Sequence, residues 1–429
     1  MRNTGMNDGV GIEYIKAPAR DAALDGRTVS ETVHGILAAV AAEGDAAVRR
    51  YADRFDGGCP DRLEVTMNDR QAAVDRLDPQ TRADTEFAIA NVRAFAEAQR
   101  ATLSDLEVEI LPGVHLGHRH IPLARVGCYV PGGRYPLLSA PVMTVVPAKV
   151  AGVGEIVACL PPSAHEAMIA GCHLSGADRI FRIGGAQAVA AMAHGTQTVP
   201  KVDKIVGPGN AFVNEAKRQV FGPVGIDQLA GPSEIFVLAD ETGDAATIAT
   251  DLLAQAEHDV RTRVGLVTTH RPLALAVLAE VEAQLATLST AETAGQAWRD
   301  FGEIALVSDE DAMRRYSDAV AAEHLQVHTA DAETFARTLT GYGSLFVGEL
   351  ASVVYSDKCC GTNHTLPTMR AGRYTGGLWV GSYLKTVTHQ SMTPEGVRAV
   401  APPAVRQSRS EGLEGHRRAA QLRLDRLNG

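Results

Sequence analysis

An alternation that begins at Arg125 restricts the fold of this chain more than any other feature. Short apolar runs, RVGCYVP, EIVACLPP, RIFRIGG and DKIVGPGN, each precede an Ala-rich stretch of helical character, and the alternation returns in EIFVLAD, RVGLVT, EIALVSD and SLFVGE. Strands that read as unbroken apolar runs are buried on both faces, the condition of a parallel sheet covered by helices. The intervening helices supply the crossovers that parallel strands need. The expectation is an α/β protein with two Rossmann-like parallel-sheet units. Length agrees, since 429 residues with 45% hydrophobic side chains exceed what one core usually holds. Turns at Gly184-Gly185, Gly207-Pro208-Gly209 and Ala230-Gly231-Pro232 fall where strands should end and helices begin. Ligands of open α/β sheets bind at such carboxyl ends.

Outside this region the pattern is helical. Thr28 and Glu31 make a capping-box pattern ahead of Val33, Ile36, Leu37, Val40 and Ala41, so a helix is expected to open near Val29. A second is expected over roughly Gln80 to Thr102, with Phe87, Ile89, Val92 and Phe95 as its buried stripe. Beyond about Leu378 the chain reads as helical and charged, ending in SRSEGLEGHRRAAQLRLDRL, a tail that either solvates itself or wraps a partner subunit.

A formal net charge of −10 argues against a nucleic-acid partner. The opening residues lack an apolar run of signal-peptide length, and the apolar stretch Ala140 to Val153 is broken by Pro147 and Lys149, so no membrane association is expected. Cysteines 59, 128, 159, 172, 359 and 360 are scattered and form no CxxC pair, which suits a reducing cytoplasm and gives no zinc ribbon.

Three segments carry candidate chemistry. DLLAQAEHD sets Gln255 and His258 three apart on an expected helix, so both project from one face and can share a metal; alone, the pair fits a structural histidine as well. AAEHL places Glu323 beside His324 at the start of an expected strand, where a histidine base beside a water-activating carboxylate and a surface pair are both open. SDKCCGTNHTLPT is too polar and glycine-rich for a core strand and reads as an active-site loop, in which Asp357 either completes a metal site or makes an Asx turn, and Cys359 and Cys360 read as packing thiols. No GxGxxG or GxxxxGK[ST] fingerprint is present, so any dinucleotide must use the other glycine turns and helix N-termini.

The ordered blocks YVPGGRYPLLSAPVMTVVPAKVAGV, RIGGAQAVAA, VGPGN, AGPSE, LLAQAEHD, AAEHL, DKCCGTNHTLPT, YTGGLWVGSYLKTVT and EGLEGH resemble those of the histidinol dehydrogenases across nearly the whole chain. The resemblance implies one Zn2+ per subunit, held by Gln255, His258 and Asp357 of one subunit and His416 of the other, in a homodimer with shared active sites. It implies that Tyr129, Gln187 and Asn210 line an NAD site and that Ser233 and the other subunit's Glu411 touch substrate. His324 would remove the hydroxyl proton and Glu323 would activate water, in two successive oxidations that use two NAD. The implied layout is an N-terminal arm (1–24), a zinc and substrate domain (25–127 with 235–377), an NAD-binding domain (128–234) and a C-terminal dimerisation tail (378–429).

The chain departs from the histidine-pathway pattern at two positions. An acidic residue four before the zinc aspartate and a tyrosine just after it are here Val353 and Lys358. Exchanging a carboxylate for an ammonium turns a cation-accepting pocket toward an anion. SDK followed by GTNHTLPT, the YTGGLWV segment and the opening IEYIK resemble the branch that oxidises sulfopropanediol, with Lys358, aided by Arg373 or His364, facing the sulfonate; a solvated loop lysine is the equal alternative. Oxidation of L-histidinol, or of a related polyol or amino alcohol, is the competing substrate reading. A non-catalytic binding protein would have lost some of the six metal and base positions, and a zinc hydrolase has no use for Tyr129, Gln187 and Asn210.

Overall fold

The computed structural model describes residues 11–20, 27–132 and 137–428, so residues 1–10 and 21–24 of the expected arm and residues 133–136 of the YVPGGRYP block lie outside the described part. In chain order the elements are β1 (Glu13–Lys16), α1 (Arg27–Glu43), α2 (Asp45–Phe55), α3 (Met67–Asp75), α4 (Pro79–Ala101), β2 (Leu106–Leu111), β3 (Val114–Pro122), β4 (Arg125–Tyr129), α5 (Ser139–Ala151), β5 (Glu155–Leu160), α6 (Glu166–Ser175), β6 (Arg179–Arg182), α7 (Gly185–His194), β7 (Lys204–Val206), α8 (Ala211–Val220) and β8 (Gly225–Ile226). The second half continues with β9 (Glu234–Ala239), α9 (Ala245–Ala256), β10 (Arg263–Thr268), α10 (Arg271–Leu285), α11 (Ala291–Phe301), β11 (Glu303–Leu306), α12 (Glu310–Val320), β12 (His324–His328), α13 (Ala332–Ala336), β13 (Ser344–Val347), α14 (Val353–Lys358), β14 (Leu384–Met392), α15 (Pro394–Ser410) and α16 (Glu414–Asn428).

Each apolar run of the alternating pattern is a strand, and the strands form two parallel sheets. One has the order β6-β5-β4-β7-β8; the other, β11-β10-β9-β12-β13, is edged by β1, antiparallel to β11. Within each unit the first strand lies at the centre and the order reverses there, the arrangement of a dinucleotide-binding half. Burial explains the run-like sequences: in β9 every residue is buried, and in β5 every residue after Glu155. Val157 and Cys159 face α1, α2, α7 and α8, whereas Ile156 and Ala158 face α5 and α6. In the second sheet Ile235 and Val237 pack on α9, α10 and α11, and Phe236 and Leu238 on α12.

The structure departs from the sequence expectations in four places. α1 opens at Arg27, so Thr28 lies inside its first turn instead of capping it. On α4 the buried face is Thr85, Ala88, Ile89, Val92 and Ala96, whereas Phe87 and Phe95 are exposed, because at 100° per residue a position two away from Ile89 points elsewhere. Residues 27–101, expected with the second sheet, pack on the first: the α1 stripe of Val33, Ile36, Leu37 and Val40 meets α7 and α8. Finally, residues 384–392 are a strand and not helix; β14 pairs with β3, and β3 with β2, in an antiparallel sheet whose strand LEVEIL is exposed along its whole length. Helices α15 and α16 follow and pack on each other, with no residue of α16 buried. Among the described residues no helix is long and apolar enough to cross a membrane.

Trp298 is 1% exposed at the centre of the second unit's core, and the Lys16 ammonium of β1 lies 4.8 Å from its ring centroid. Trp298→Ala is expected to lower the unfolding free energy by about 3–5 kcal/mol through lost burial and the cavity left behind, read as a lower midpoint in urea denaturation.

Candidate active site

The two sheets meet unlike ends at a cleft. A cavity of about 440 Å3 is walled on one side by Tyr129, at the carboxyl end of β4, and by Gly209 and Asn210, just after β7. Its other wall comes from Ser233, Glu323 and His324, at the amino ends of β9 and β12. The carboxyl-end rule therefore holds for the first unit alone; the 230–232 turn lies between β8 and β9 and leads into a strand, not a helix. Gln255 enters from the last turn of α9, and His258 lies just past that helix in a turn whose His258 N–H donates to the Gln255 carbonyl at 3.1 Å. Asp357 and Lys358, expected in a loop, occupy the last turn of α14, and His364 follows in extended chain. All five line the same cavity.

The backbone of one residue orients the acid–base pair. The Glu234 N–H donates to Glu323 Oε2 at 2.9 Å, and the Glu234 carbonyl lies 2.9 Å from His324 Nδ1. A carbonyl only accepts, so Nδ1 carries the proton and Nε2 presents a lone pair. That Nε2 is buried without a protein partner. Burial lowers the imidazole's proton affinity and favours the neutral ring. Glu323 also accepts from Ser233 Oγ at 2.6 Å, and its carboxylate lies 3.5 Å from His324 Nδ1. Burial nevertheless pushes the Glu323 carboxyl up to about 8, against the lowering effect of the Ser233 and Glu234 donors, and the nearby Asp357 charge adds to the rise. Glu234 was not singled out from the sequence. It is 6% exposed, and burial raises its own carboxyl to about 7 although Arg263 opposes the shift. A buried acid at the first position of an apolar strand was the available signal.

The metal set fits a zinc ion in its donor chemistry. Gln255 Nε2 donates to Ser233 Oγ, which leaves Oε1, the amide atom able to bind a cation, uncommitted to that bond. Together with the His258 imidazole and the Asp357 carboxylate this makes a mixed nitrogen and oxygen set that zinc accepts. Among the described residues no three His, Cys, Asp or Glu side chains converge on a metal position. His416 and Glu411 are exposed on the tail and line no part of the cavity within this chain.

The remaining candidates divide. Tyr129 lines the cleft while its hydroxyl accepts from the Gly185 N–H at 3.1 Å, and burial pushes the phenol up to about 12. Asn210 lines it as well, its Oδ1 capping α8 through Phe212 N–H at 3.0 Å and Val213 N–H at 3.1 Å. Gln187 is 1% exposed, donates to Asp56 at 2.9 Å and is absent from the cavity wall. Lys358 lines the cavity, and His364, whose Nε2 lies 3.1 Å from Ser139 Oγ, stands near it. Arg373 is exposed elsewhere, and Val353 is packed into the second unit's core. None of the six cysteines is in a disulfide; Cys128, beside Tyr129, is fully buried.

Glu323 titrates near 4.5 in the unfolded chain and near 8 in the fold, so its contribution to stability is complete below about pH 4.5 and is lost as pH rises to 8. In metal-free protein, Glu323→Gln is therefore expected to gain stability over the parent progressively from pH 5 to 8, by on the order of 3–5 kcal/mol, and to gain no more above that. Urea titrations at stepped pH check both the sign and the plateau.

The model of the family described as histidinol dehydrogenase matches residues 19–424. A histidinol dehydrogenase homolog of Shouchella clausii is 45% identical over 419 residues, spanning 96% of this chain and 99% of its own. The sulfopropanediol 3-dehydrogenase of Ruegeria pomeroyi is 45% identical over 422 residues, 96% of each chain. The crystal structure of histidinol dehydrogenase from Elizabethkingia anophelis superposes with a TM-score of 0.91 at 32% identity, covering 95% of this chain and 94% of that one. With the family model matched over residues 19–424 and relatives 45% identical over 96% of its length, the chain belongs to the histidinol dehydrogenase family.

Proposed function

We propose that this dehydrogenase oxidises the primary alcohol of a small anionic substrate through the aldehyde to the carboxylate, and that the substrate is 2,3-dihydroxypropane-1-sulfonate, yielding sulfolactate. When bound, NAD supplies the hydride acceptor, one molecule per oxidation, and zinc, held by Gln255, His258 and Asp357 with His416 of a second copy, supplies an electrophilic anchor for the substrate oxygen. The observation that carries the reading is the His324 and Glu323 pair held by the Glu234 backbone, facing a cleft that also holds Lys358.

His324 Nε2 takes the hydroxyl proton as the first hydride leaves. At the aldehyde, Glu323 draws a proton from water so that the hydrated carbon can release the second hydride. Glu323 must then be a carboxylate, and positive charge in the cleft, from Lys358 and a divalent cation, favours that form. Lys358 faces the sulfonate, with His364 beside it. Burial of Val353 leaves Lys358 as the main support for the anionic preference, and the similarity to the Ruegeria pomeroyi sulfopropanediol 3-dehydrogenase agrees with it. Glu411 of a second copy reaches the substrate in the same shared-site arrangement. The scattered free cysteines suit a reducing compartment, and a cytoplasmic location is part of this proposal.

NADH formed by the zinc-loaded protein with sulfopropanediol and with L-histidinol, counted per alcohol consumed, tests this reading. Two NADH per sulfonate and little from histidinol are expected; the reverse preference would return the protein to histidine biosynthesis. Lys358→Tyr is expected to raise KM for the sulfonate by about tenfold while leaving neutral alcohols nearly unchanged, and equal losses for both would remove Lys358 from the substrate site. His324→Ala should lower kcat by roughly 10²- to 10⁴-fold.

A further inference from the structure

Among the described residues Lys217 is the one lysine in the fully buried class, at 1% exposure, and it forms an ion pair with the equally enclosed carboxylate of Asp227. Neither residue lines the cleft. Taking two charges out of water costs about as much as their attraction returns, so a buried pair is poorly explained as a source of stability. Both partners instead turn to one residue: Lys217 Nζ donates to the Gly207 carbonyl at 2.9 Å, and Asp227 Oδ2 accepts from the Gly207 N–H at 2.7 Å.

Gly207 opens the turn that forms the first unit's wall of the cleft. Its φ is +113°, and a Cβ there would lie 2.2 Å from the Tyr129 carbonyl oxygen, so the turn rests backbone to backbone on the end of β4. Asn214, one helical turn before Lys217 on the same face of α8, donates through Nδ2 to the Gly209 carbonyl at 2.9 Å and to the Ala230 carbonyl. The turn is thus fixed at both glycines by side chains behind it.

We propose that Lys217 and Asp227, assisted by Asn214, are positioning residues that hold the Gly207–Asn210 turn as the preformed wall on which the dinucleotide docks; the proposal rests on reading the cleft as an NAD site. The test is the double variant Lys217→Met with Asp227→Asn, which removes both charges of the ion pair together and keeps an acceptor for the Gly207 N–H while removing the carbonyl's donor. The zinc-loaded protein is compared with the parent for zinc content, KM of the alcohol, kcat at saturating NAD and Kd of NAD without alcohol. The expected result is a Kd for NAD raised about tenfold, with zinc content, alcohol KM and saturating kcat within about twofold of the parent.

Unchanged NAD binding by the folded variant would overturn the proposal, as would parallel loss of zinc, alcohol and NAD binding, the mark of a general structural role. Should the variant not fold, hydrogen exchange in the parent decides: Gly207 amide protection comparable to the sheet core without NAD supports a preformed wall, and protection that appears only with NAD overturns it. Failure of the parent itself to bind NAD would overturn the cofactor reading and this proposal together, whereas a binding parent with an indifferent variant overturns this proposal alone.

Discussion

The backbone of Glu234 is the constraint on which the chemistry of the cleft depends. Its N–H and carbonyl both turn from the start of β9 toward the neighbouring β12, and there they hold the Glu323 carboxylate and the His324 ring. Because the parallel register pairs His324 with Ile235, the two acid–base side chains arrive beside this backbone as a consequence of sheet pairing. The imidazole tautomer follows from the same contact, since a carbonyl accepts and never donates. Ser233 and Gln255 extend the chain of bonds from Glu323 to the expected metal position.

Around this point the two sheets contribute different ends. The first unit behaves as an open α/β sheet should, presenting the strand-to-helix turns after β4 and β7 at the point where strand order reverses. The second presents amino ends, where buried polar side chains must be satisfied by neighbouring strands instead of by helix N-termini. That difference sorts the tasks: backbone-rich turns on one wall, titratable side chains on the other. Burial raises the carboxyl of Glu323 and lowers the proton affinity of His324, leaving both poised to respond to positive charge in the cleft.

Several elements were legible from local pattern because the physics behind them is local. β4, β5, β6, β7, β9, β10, β11 and β13 match the apolar runs, since a strand buried on both faces has no choice of composition. α4 was located to within a residue, yet its buried face was misjudged: Phe87 and Phe95 drew attention by size, and helical geometry placed them outward. β14 was hidden in a charged tail because it pairs with β3, more than 260 residues earlier, and such pairing leaves little trace in composition. The helical reading of Asp357 was missed because Gly361 and the polar residues that follow dominate the look of that segment.

By itself the sequence determined the α/β class, the near-continuous burial of the central strands and, through ordered motifs, membership of the histidinol dehydrogenase family. Those properties depend on residue type and periodicity, which survive without a third dimension. Only the tertiary structure decided that α1 to α4 cover the first sheet, that Val353 is turned into a core while Lys358 lines the cleft, and that Gln187 sits behind the wall. Direction, unlike composition, is set by which long-range partners a segment meets. The roles of Glu234, Lys217 and Asp227 belong to the same category, because each rests on bonds between backbone and side chain that only the folded chain brings together.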